Sequence, residues 1–197
     1  METGGAFGGK IYAILEPLAV LLSRRTGRPV KMVMSRAEVF RATGPGSPMH
    51  AVIKTGTKKD GTLTACYAKI VMDAGAFPGA PVGGASAVSF GPYKVDNLRI
   101  EGYDVLVNKP KTAAYRAPGS TNAAMGSETV IDELAEKLGI DPLEFRRING
   151  AKEGTAQAAG PKFGRIGYLE TVEAAKASDH FKSELPQVEG RQVGRGV

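Results

Sequence analysis

A predicted β-hairpin places the strongest limit on the fold of this chain. The apolar runs MHAVIKTGT (residues 49–57) and TLTACYAKIVMDAGAF (62–77) flank a Lys-Asp-Gly turn at 59–61. Two such runs around a short glycine-containing turn are typical of paired antiparallel strands. LRIEGYDVLVN (98–108) and PVKMVM (29–34) predict two further strands. The chain therefore contains a sheet, and an all-helical fold is excluded.

Helical periodicity marks the segments around these strands. Apolar residues recur at helical spacing between Ile11 and Leu22, which predicts a helix packed on the core that ends at Gly27. Four more helices are predicted: a short one behind a Ser35–Glu38 capping box, a long one at 120–138, one begun by Asp141-Pro142 with a box completed by Glu144, and one from Leu169 that includes Phe181. Residues 78–92 and 150–164 read as loops. The predicted class is α+β, with a mixed sheet and packed helices.

Length and composition are those of one globular domain. The 197 residues are 42% hydrophobic and 23% charged, which is enough for one sizeable core. No apolar run approaches the roughly 20 residues of a membrane span, and the first residues lack the pattern of a signal peptide. The sequence therefore predicts a soluble, cytoplasmic protein.

Potential metal ligands are few. The chain has one cysteine, Cys66, in an apolar strand-like run, and two histidines, His50 and His180. A buried structural thiol is favoured over a nucleophile, both histidines are expected at the surface or in loops, and no metal site is predicted. Residues 24–60 hold nine basic and two acidic side chains. Such an imbalance could serve nucleic acid, a phosphorylated cofactor or an acidic partner subunit. Without interleaved aromatic residues, a solvated face is favoured and a nucleic-acid site is disfavoured.

The glycine-rich stretch GGAFGGK (residues 4–10, the glycine loop) fits the first seven positions of a phosphate-binding P-loop. A P-loop needs Ser or Thr after the lysine and a strand before the loop. Here Ile11 follows Lys10, and only three residues precede Gly4. The pattern therefore argues against an NTPase, and a flexible start to a helix is the simple alternative.

The stretch KPKTAAYRAPG (residues 109–119, the arginine loop) places Arg116 in a Pro-Gly loop that leads into the long predicted helix. Free N–H groups and the helix dipole both favour anions at a helix N-terminus. The glycine loop has the same design. Two such loops indicate a large, phosphate-bearing cofactor, although either loop alone fits an ordinary helix cap and Arg116 alone fits an exposed surface residue.

Several motifs in order carry a family resemblance. GGAFGGK, MDAGAF, YRAPGS and SETVIDELAEKLGIDPLEFRRIN resemble the molybdenum-binding subunit of the xanthine dehydrogenase, aldehyde oxidase and carbon monoxide dehydrogenase family. The last stretch contains that family's D-P-x-E-x-R-x-x-N signature, and the resemblance spans about residues 2–180. It implies that the glycine loop holds a molybdopterin, with the cytosine dinucleotide form as one option, rather than ATP.

The resemblance also implies which residues meet the cofactor. In the family, the glycine loop and its phenylalanine lie against the molybdenum centre, and the arginine loop lies beside the pterin. The residues expected at the cofactor are Gly5, Ala6, Phe7, Gly8, Gly9, Arg116 and Ala117. Glycine suits this position because no side chain keeps the backbone away. Relatives supply the catalytic glutamate from a later stretch of the subunit, so no catalytic residue and no metal ligand are expected here.

Departures from the family pattern bear on the substrate. Purine-oxidising relatives carry a glutamate where this chain has Ile11 and an arginine where it has Gly84. Ala117 and Pro118 replace the glycine and aromatic residue that many members have after the loop arginine. The resemblance therefore disfavours a purine and leaves an aldehyde, a heterocycle or a CoA-bound aromatic compound open.

The resemblance implies a partial large subunit of a molybdenum hydroxylase, which oxidises a substrate carbon with oxygen from water. We expect a cofactor-binding domain, its first half, at residues 1–184, a flexible tail at 185–197, and no activity of the chain alone. Expected partners are the remainder of the large subunit, an iron–sulfur subunit and an FAD subunit, because no cysteine pattern here could hold a cluster. The alternative is a non-catalytic interaction module that keeps the fold without cofactor.

Overall fold

The computed structural model describes residues 4–196, which form a three-stranded sheet with helices packed on one face. The strands are β1 Met49–Thr57, β2 Leu63–Gly75 and β3 Asn97–Leu106. The helices are α1 Glu16–Thr26, α2 Arg36–Ala42, α3 Val82–Val88, α4 Ser120–Leu138, α5 Pro142–Asn149, α6 Tyr168–Ala177 and α7 Asp179–Lys182. β2 pairs antiparallel with β1 and parallel with β3. The predicted α+β class with a mixed sheet is confirmed.

The central strand β2 separates two different faces of the sheet. Its inward side chains, including Ala68, Ile70 and Met72, are fully buried under α3 and α4. The residues between them alternate to the other face, where Tyr67 donates a hydrogen bond to Glu101 of β3 (3.0 Å) and Lys69 lies over the Tyr103 ring. This period-2 alternation gives the sheet one apolar and one polar face.

The DPLEFRRIN segment folds into α5 and fastens it to the sheet and to α4. Asn149 is buried, donates to Gly61 O (2.9 Å) and Phe145 O (3.0 Å), and accepts from Leu63 N (2.8 Å). Arg146 is also buried and donates to Glu128 (2.8 Å) and Asp132 (2.7 Å) of α4. The arginine and asparagine of this signature therefore have structural roles.

The first predicted helix is shorter and more exposed than expected. Proline lacks an N–H and its ring clashes with the carbonyl four residues earlier, so Pro17 fits only the first turn and α1 begins at Glu16. No residue of α1 is buried, and Leu18, Val20 and Leu21 are more than half exposed. The prediction that this helix packs on the core was wrong.

Three further predictions need correction. Residues 29–34 form no strand, because this run pairs with none of the strands in residues 4–196. The loop predicted at 78–92 contains α3. Glu144 does not complete a capping box, because its carboxylate is taken by Arg147 and by Lys176 (3.0 Å).

Other local predictions match the structure. The Ser35–Glu38 capping box is present, α4 spans the predicted residues, and Asp141 caps α5. Phe181, however, lies in the separate short helix α7, because Ser178 interrupts α6 and caps the next turn through Phe181 N (3.2 Å).

Candidate functional site

The arginine loop is fixed where it leaves the sheet. Thr112 is buried, and its N–H and hydroxyl both donate to Ala74 O near the end of β2 (3.1 and 3.2 Å). Ala113 N then donates to Pro45 O (2.8 Å). After this point the loop extends outward, and residues 115–118 are exposed. The base of the loop is therefore rigid and its outer part faces solvent.

Three glycines from separate segments approach the backbone of this loop. A Cβ on Gly8 would lie 2.6 Å from Ala114 O, and a Cβ on Gly44 would lie 2.6 Å from Lys111 O. A Cβ on Gly75 would overlap Pro110 O. Real Cβ atoms are not found this close to backbone oxygen, so all three positions require glycine in the present packing.

The contact at Gly8 brings together the two loops singled out in the sequence. Gly8 has φ +109°, in a region that residues with a side chain rarely adopt. Next to this contact, the Phe7 and Tyr115 rings stack with centroids 6.2 Å apart and an interplanar angle of 30°. Both rings remain more than half exposed. The joined loops thus present two aromatic surfaces to the outside.

Both loops hold a residue other than glycine in left-handed backbone. Within residues 4–196, positive φ without glycine occurs at Phe7 (52°), Ala117 (55°) and Phe90 (58°). Phe90 is buried in the core, whereas Phe7 and Ala117 are exposed. Such conformations cost about 1–3 kcal/mol each, and they concentrate at functional sites. Two of the three thus lie at positions assigned to the cofactor from the sequence.

Positive charge at the arginine loop is free to meet a ligand. The Arg116 guanidinium is exposed and has no hydrogen bond or ion pair within residues 4–196. α4 follows directly, its N-terminus carries no side-chain cap, and a cavity of about 320 Å³ opens there between Ser47, Pro81 and Tyr115. The loop and the helix start therefore both favour an anion.

A P-loop is not formed. The segment from Gly4 to Leu15 contains turns and bends, and no helix directly follows the loop. Lys10 instead turns back, with its Nζ 3.6 Å from the Cβ position of Gly4. The structure agrees with the sequence argument against an NTPase.

The remaining chemical groups are structural within the part of the chain described. Cys66 is buried, and burial raises its thiol pKa to about 12. This fits the predicted structural thiol, since a thiolate is scarce at neutral pH. His50 and His180 are exposed, as predicted. In residues 4–196 no cluster of three or more His, Cys, Asp or Glu side chains could hold a metal, and no helix is long and apolar enough to cross a membrane.

Some of the predicted cofactor residues lie where the two loops meet, and others lie away from that contact. Phe7 and Gly8 meet the arginine loop directly, and Arg116 and Ala117 follow Tyr115 on that loop. Gly5 has open space around it, while Gly9 N donates to Ala6 O (2.9 Å) and closes a turn. Sequence reasoning missed Tyr115, Gly44 and Gly75 as parts of this region. Gly75 was visible as the glycine directly after a strand, but its contact with Pro110 was not.

The cofactor implied by the resemblance fits these residues. Molybdopterin combines a flat ring system with a negatively charged phosphate. The exposed Phe7 and Tyr115 rings suit the flat part, the unpaired Arg116 suits the negative charge, and Gly8 and Gly5 leave the backbone open to approach.

Comparison with known proteins identifies the family of the chain. Residues 1–150 match the molybdopterin cofactor-binding domain family. The nicotinate dehydrogenase large molybdopterin subunit of Eubacterium barkeri is 35% identical over 178 residues, which cover 88% of this chain and 42% of that protein. The aldehyde oxidoreductase of Megalodesulfovibrio gigas is 34% identical over 161 residues, which cover 80% of this chain and 18% of that protein.

Solved structures agree with the sequence relatives. Quinoline 2-oxidoreductase from Pseudomonas putida 86 superposes with a TM-score of 0.80 at 31% identity, covering 88% of this chain and 23% of that one. The chain thus spans less than half the length of each of these relatives. It belongs to the molybdopterin cofactor-binding domain family, which occurs in the large subunits of molybdenum hydroxylases.

Proposed function

We propose that this chain forms one side of the molybdopterin site of a molybdenum hydroxylase, with the glycine loop and the arginine loop as its contacts. The observation that carries the proposal is the direct packing of Gly8 on Ala114. It joins two loops that are far apart in sequence and that both hold exposed left-handed backbone. Interaction modules do not need such strain at their surface.

Each loop residue has a separate role in this proposal. Gly5, Ala6, Gly8, Gly9 and Ala117 offer backbone for close approach, Phe7 and Tyr115 cover the flat part of the cofactor, and Arg116 pairs with its negative charge. When bound, the molybdopterin supplies the redox centre at which a substrate carbon is oxidised with oxygen from water. The chain itself contributes positioning and electrostatics.

The general base for this reaction is proposed to come from outside this chain. Five glutamates have structural partners: Glu16 accepts from Ile14 N, Glu38 bonds Ser35, Glu101 bonds Tyr67 and Arg99, Glu128 bonds Tyr93 and Arg146, and Glu144 bonds Arg147 and Lys176. A carboxylate held in such bonds is a poor proton acceptor at neutral pH. We therefore expect the chain alone to be inactive.

The exposed helix α1 supports the proposed partner. An isolated helix of fewer than about 12–15 residues is marginal in water, and α1 has 11 residues with Leu18, Val20 and Leu21 exposed. We propose that the remainder of the large subunit covers this face, and that iron–sulfur and FAD partners carry the electrons onward. A cytoplasmic location stays a prediction.

The proposed substrate is an aldehyde or a nitrogen heterocycle rather than a purine. Ile11 occupies the position of the purine-binding glutamate. A Cβ on Gly84 would lie 2.5 Å from Pro118 O, so the present packing leaves no room there for a substrate-binding arginine. Both observations support the expectation that the substrate is not a purine.

A substitution in the glycine loop tests the cofactor site. Gly8→Ala adds a Cβ at φ +109° against Ala114 O, whereas the control Gly164→Ala, in the connector before α6 and outside both loops, adds one with no described atom within 4 Å. Strain and displacement of about 2–4 kcal/mol would weaken cofactor binding roughly 30- to 1000-fold. Each variant is co-expressed with the other parts of the enzyme, and bound molybdenum is measured by mass spectrometry. Full occupancy in Gly8→Ala would contradict the proposal.

A second pair tests the arginine. Arg116→Ala removes the free guanidinium of the arginine loop, and Arg165→Ala removes another exposed arginine, in the connector before α6. Loss of a charge-assisted contact of about 1.5–3 kcal/mol should lower pterin occupancy only in the first variant. Equal pterin occupancy in both variants would show that Arg116 is an ordinary surface arginine without a role in cofactor binding.

The molybdenum content of the assembled complex distinguishes the proposed function from the alternative of a cofactor-free interaction module. A cofactor-free module predicts no molybdenum in the purified complex, whereas the proposed function predicts about one atom per chain. For the chain purified alone, we expect neither molybdenum nor oxidation of aldehydes or N-heterocycles with an artificial electron acceptor. Turnover by the isolated chain would require a general base among the chain's own glutamates.

A further inference from the structure

Helix α3 packs against the arginine loop without intervening side chains. A Cβ on Gly84 of α3 would lie 2.5 Å from Pro118 O. A Cβ on Gly119, which has φ +81°, would overlap Pro81 O and would lie 2.8 Å from Ala85 N. The backbones of helix and loop are therefore in direct contact at two adjacent points.

The opposite side of α3 is packed just as closely on the sheet. A Cβ on Gly102 of β3 would overlap the Val82 side chain and would lie 2.8 Å from Ser86 Oγ. Ala85, between these contacts, is fully buried in the core. α3 is thus enclosed between β3 and the arginine loop, and its position depends on glycine at three sites.

Hydrogen bonds do little to fix the outer part of the arginine loop. The backbone N–H groups of residues 114–117 and 119 donate no hydrogen bond within residues 4–196, Pro118 has no N–H, and the next bond is Ser120 N to Ala117 O (2.9 Å). Ala117 nevertheless holds φ +55°, which an unrestrained alanine would leave. Packing must therefore supply the restraint, and α3 contacts Pro118 and Gly119, the two residues that follow Ala117.

We propose that Gly84 and Gly119 are positioning residues: they let α3 press directly on the loop backbone and so hold the outer part of the arginine loop, which carries Arg116, in its present shape. The inference rests on the proposed function for its link to the cofactor, but the restraint itself is a property of this chain. Gly83 provides a matched control, because it lies on the same helix with nothing within 4 Å of its Cβ position.

Trypsin reports on the loop directly, because it cleaves after Arg116. The 197-residue chain is digested under native conditions, and the cleavage rate after Arg116 is divided by the rate after Arg191 in the exposed tail, which corrects for enzyme activity. Proteolysis follows the population of the opened loop, so Gly84→Ala should raise this ratio roughly tenfold. Gly83→Ala should leave it unchanged.

A second variant covers the case in which Gly84→Ala does not fold. Val82→Ala only removes methyl groups that pack α3 against Gly102. We expect a roughly two- to threefold rise in the ratio of cleavage after Arg116 to cleavage after Arg191. An unchanged ratio in Gly84→Ala, or in Val82→Ala if the former is unfolded, would overturn the inference.

Molybdenum content then separates this inference from the proposed function. In the complete enzyme, Gly84→Ala should lower molybdenum content while Gly83→Ala does not. A raised cleavage ratio with full molybdenum content would leave the restraint by α3 intact and would instead contradict the placement of the cofactor at Arg116.

Discussion

Removal of Arg146 is expected to cost far more stability than removal of its neighbour Arg147. The Arg146 side chain is 8% exposed and donates to Asp132, Glu128 and the Pro142 carbonyl, which ties α5 to α4. Glu128 also accepts from Tyr93 (2.6 Å). Breaking a fully buried ion pair costs about 3–5 kcal/mol. Because the Glu128 and Asp132 side chains are 31% and 47% exposed, water can solvate them partly, and we expect about 2–4 kcal/mol for Arg146→Met.

Arg147→Met is the matched control. Arg147 pairs with Glu144 at the surface, where its side chain is 48% exposed, and such pairs contribute about 0–1 kcal/mol. Urea unfolding of both variants, with free energies from linear extrapolation, measures the difference. Equal losses would show that the buried network contributes no more than a surface ion pair, and the reasoning about α5 would fail.

Other predictions follow from single side chains. Lys111 Nζ is buried and has no hydrogen-bond partner among residues 4–196, so Lys111→Met should raise the free energy of unfolding by about 1 kcal/mol; a loss of stability would reveal a partner for the ammonium. Hydrogen bonds from Arg147 and Lys176 lower the Glu144 pKa to about 2. The contribution of Glu144 to stability is therefore fully present above about pH 4.5 and is lost as the pH falls toward 2. After solvent screening this contribution should be about 1 kcal/mol, so Glu144→Gln should flatten the acid limb of a stability–pH curve. Cys66, with its raised pKa, should react with a thiol reagent at pH 8 only as fast as the chain opens; fast labelling of the native chain would contradict its burial. Leu21→Asp should abolish co-purification with the remainder of the large subunit, whereas Arg25→Asp on the same helix should not.

The parts of the fold that could be predicted from the sequence are those determined by local patterns. The hairpin of β1 and β2 was readable because its residues alternate and a glycine-containing turn joins them. α4 was readable because its apolar period and its final Gly139 agree. The run at 29–34 shows the limit of this method, because strand propensity does not supply a neighbouring strand.

Sequence patterns could not show which glycines make close backbone contacts at the candidate site. Gly5, Gly8 and Gly9 look alike in the sequence, yet only Gly8 abuts distant backbone, at Ala114. The same holds for Gly83 and Gly84 on α3. These differences arise from contacts between segments far apart along the chain, and local periodicity contains no information about them.

The strain in the two loops also bears on the choice between enzyme and interaction module. Phe7 and Ala117 each hold an unfavourable backbone conformation at an exposed position, where neither contributes to the core. At about 1–3 kcal/mol each, such positions draw on a total stability that is itself only about 5–15 kcal/mol for a typical domain. A module that had lost its cofactor would gain stability from relaxing both loops, for instance by glycine at position 117. The present chain keeps alanine there, with Gly8, Gly44, Gly75 and Gly84 packed around the loop that contains it. This arrangement favours a loop whose shape is held for a ligand.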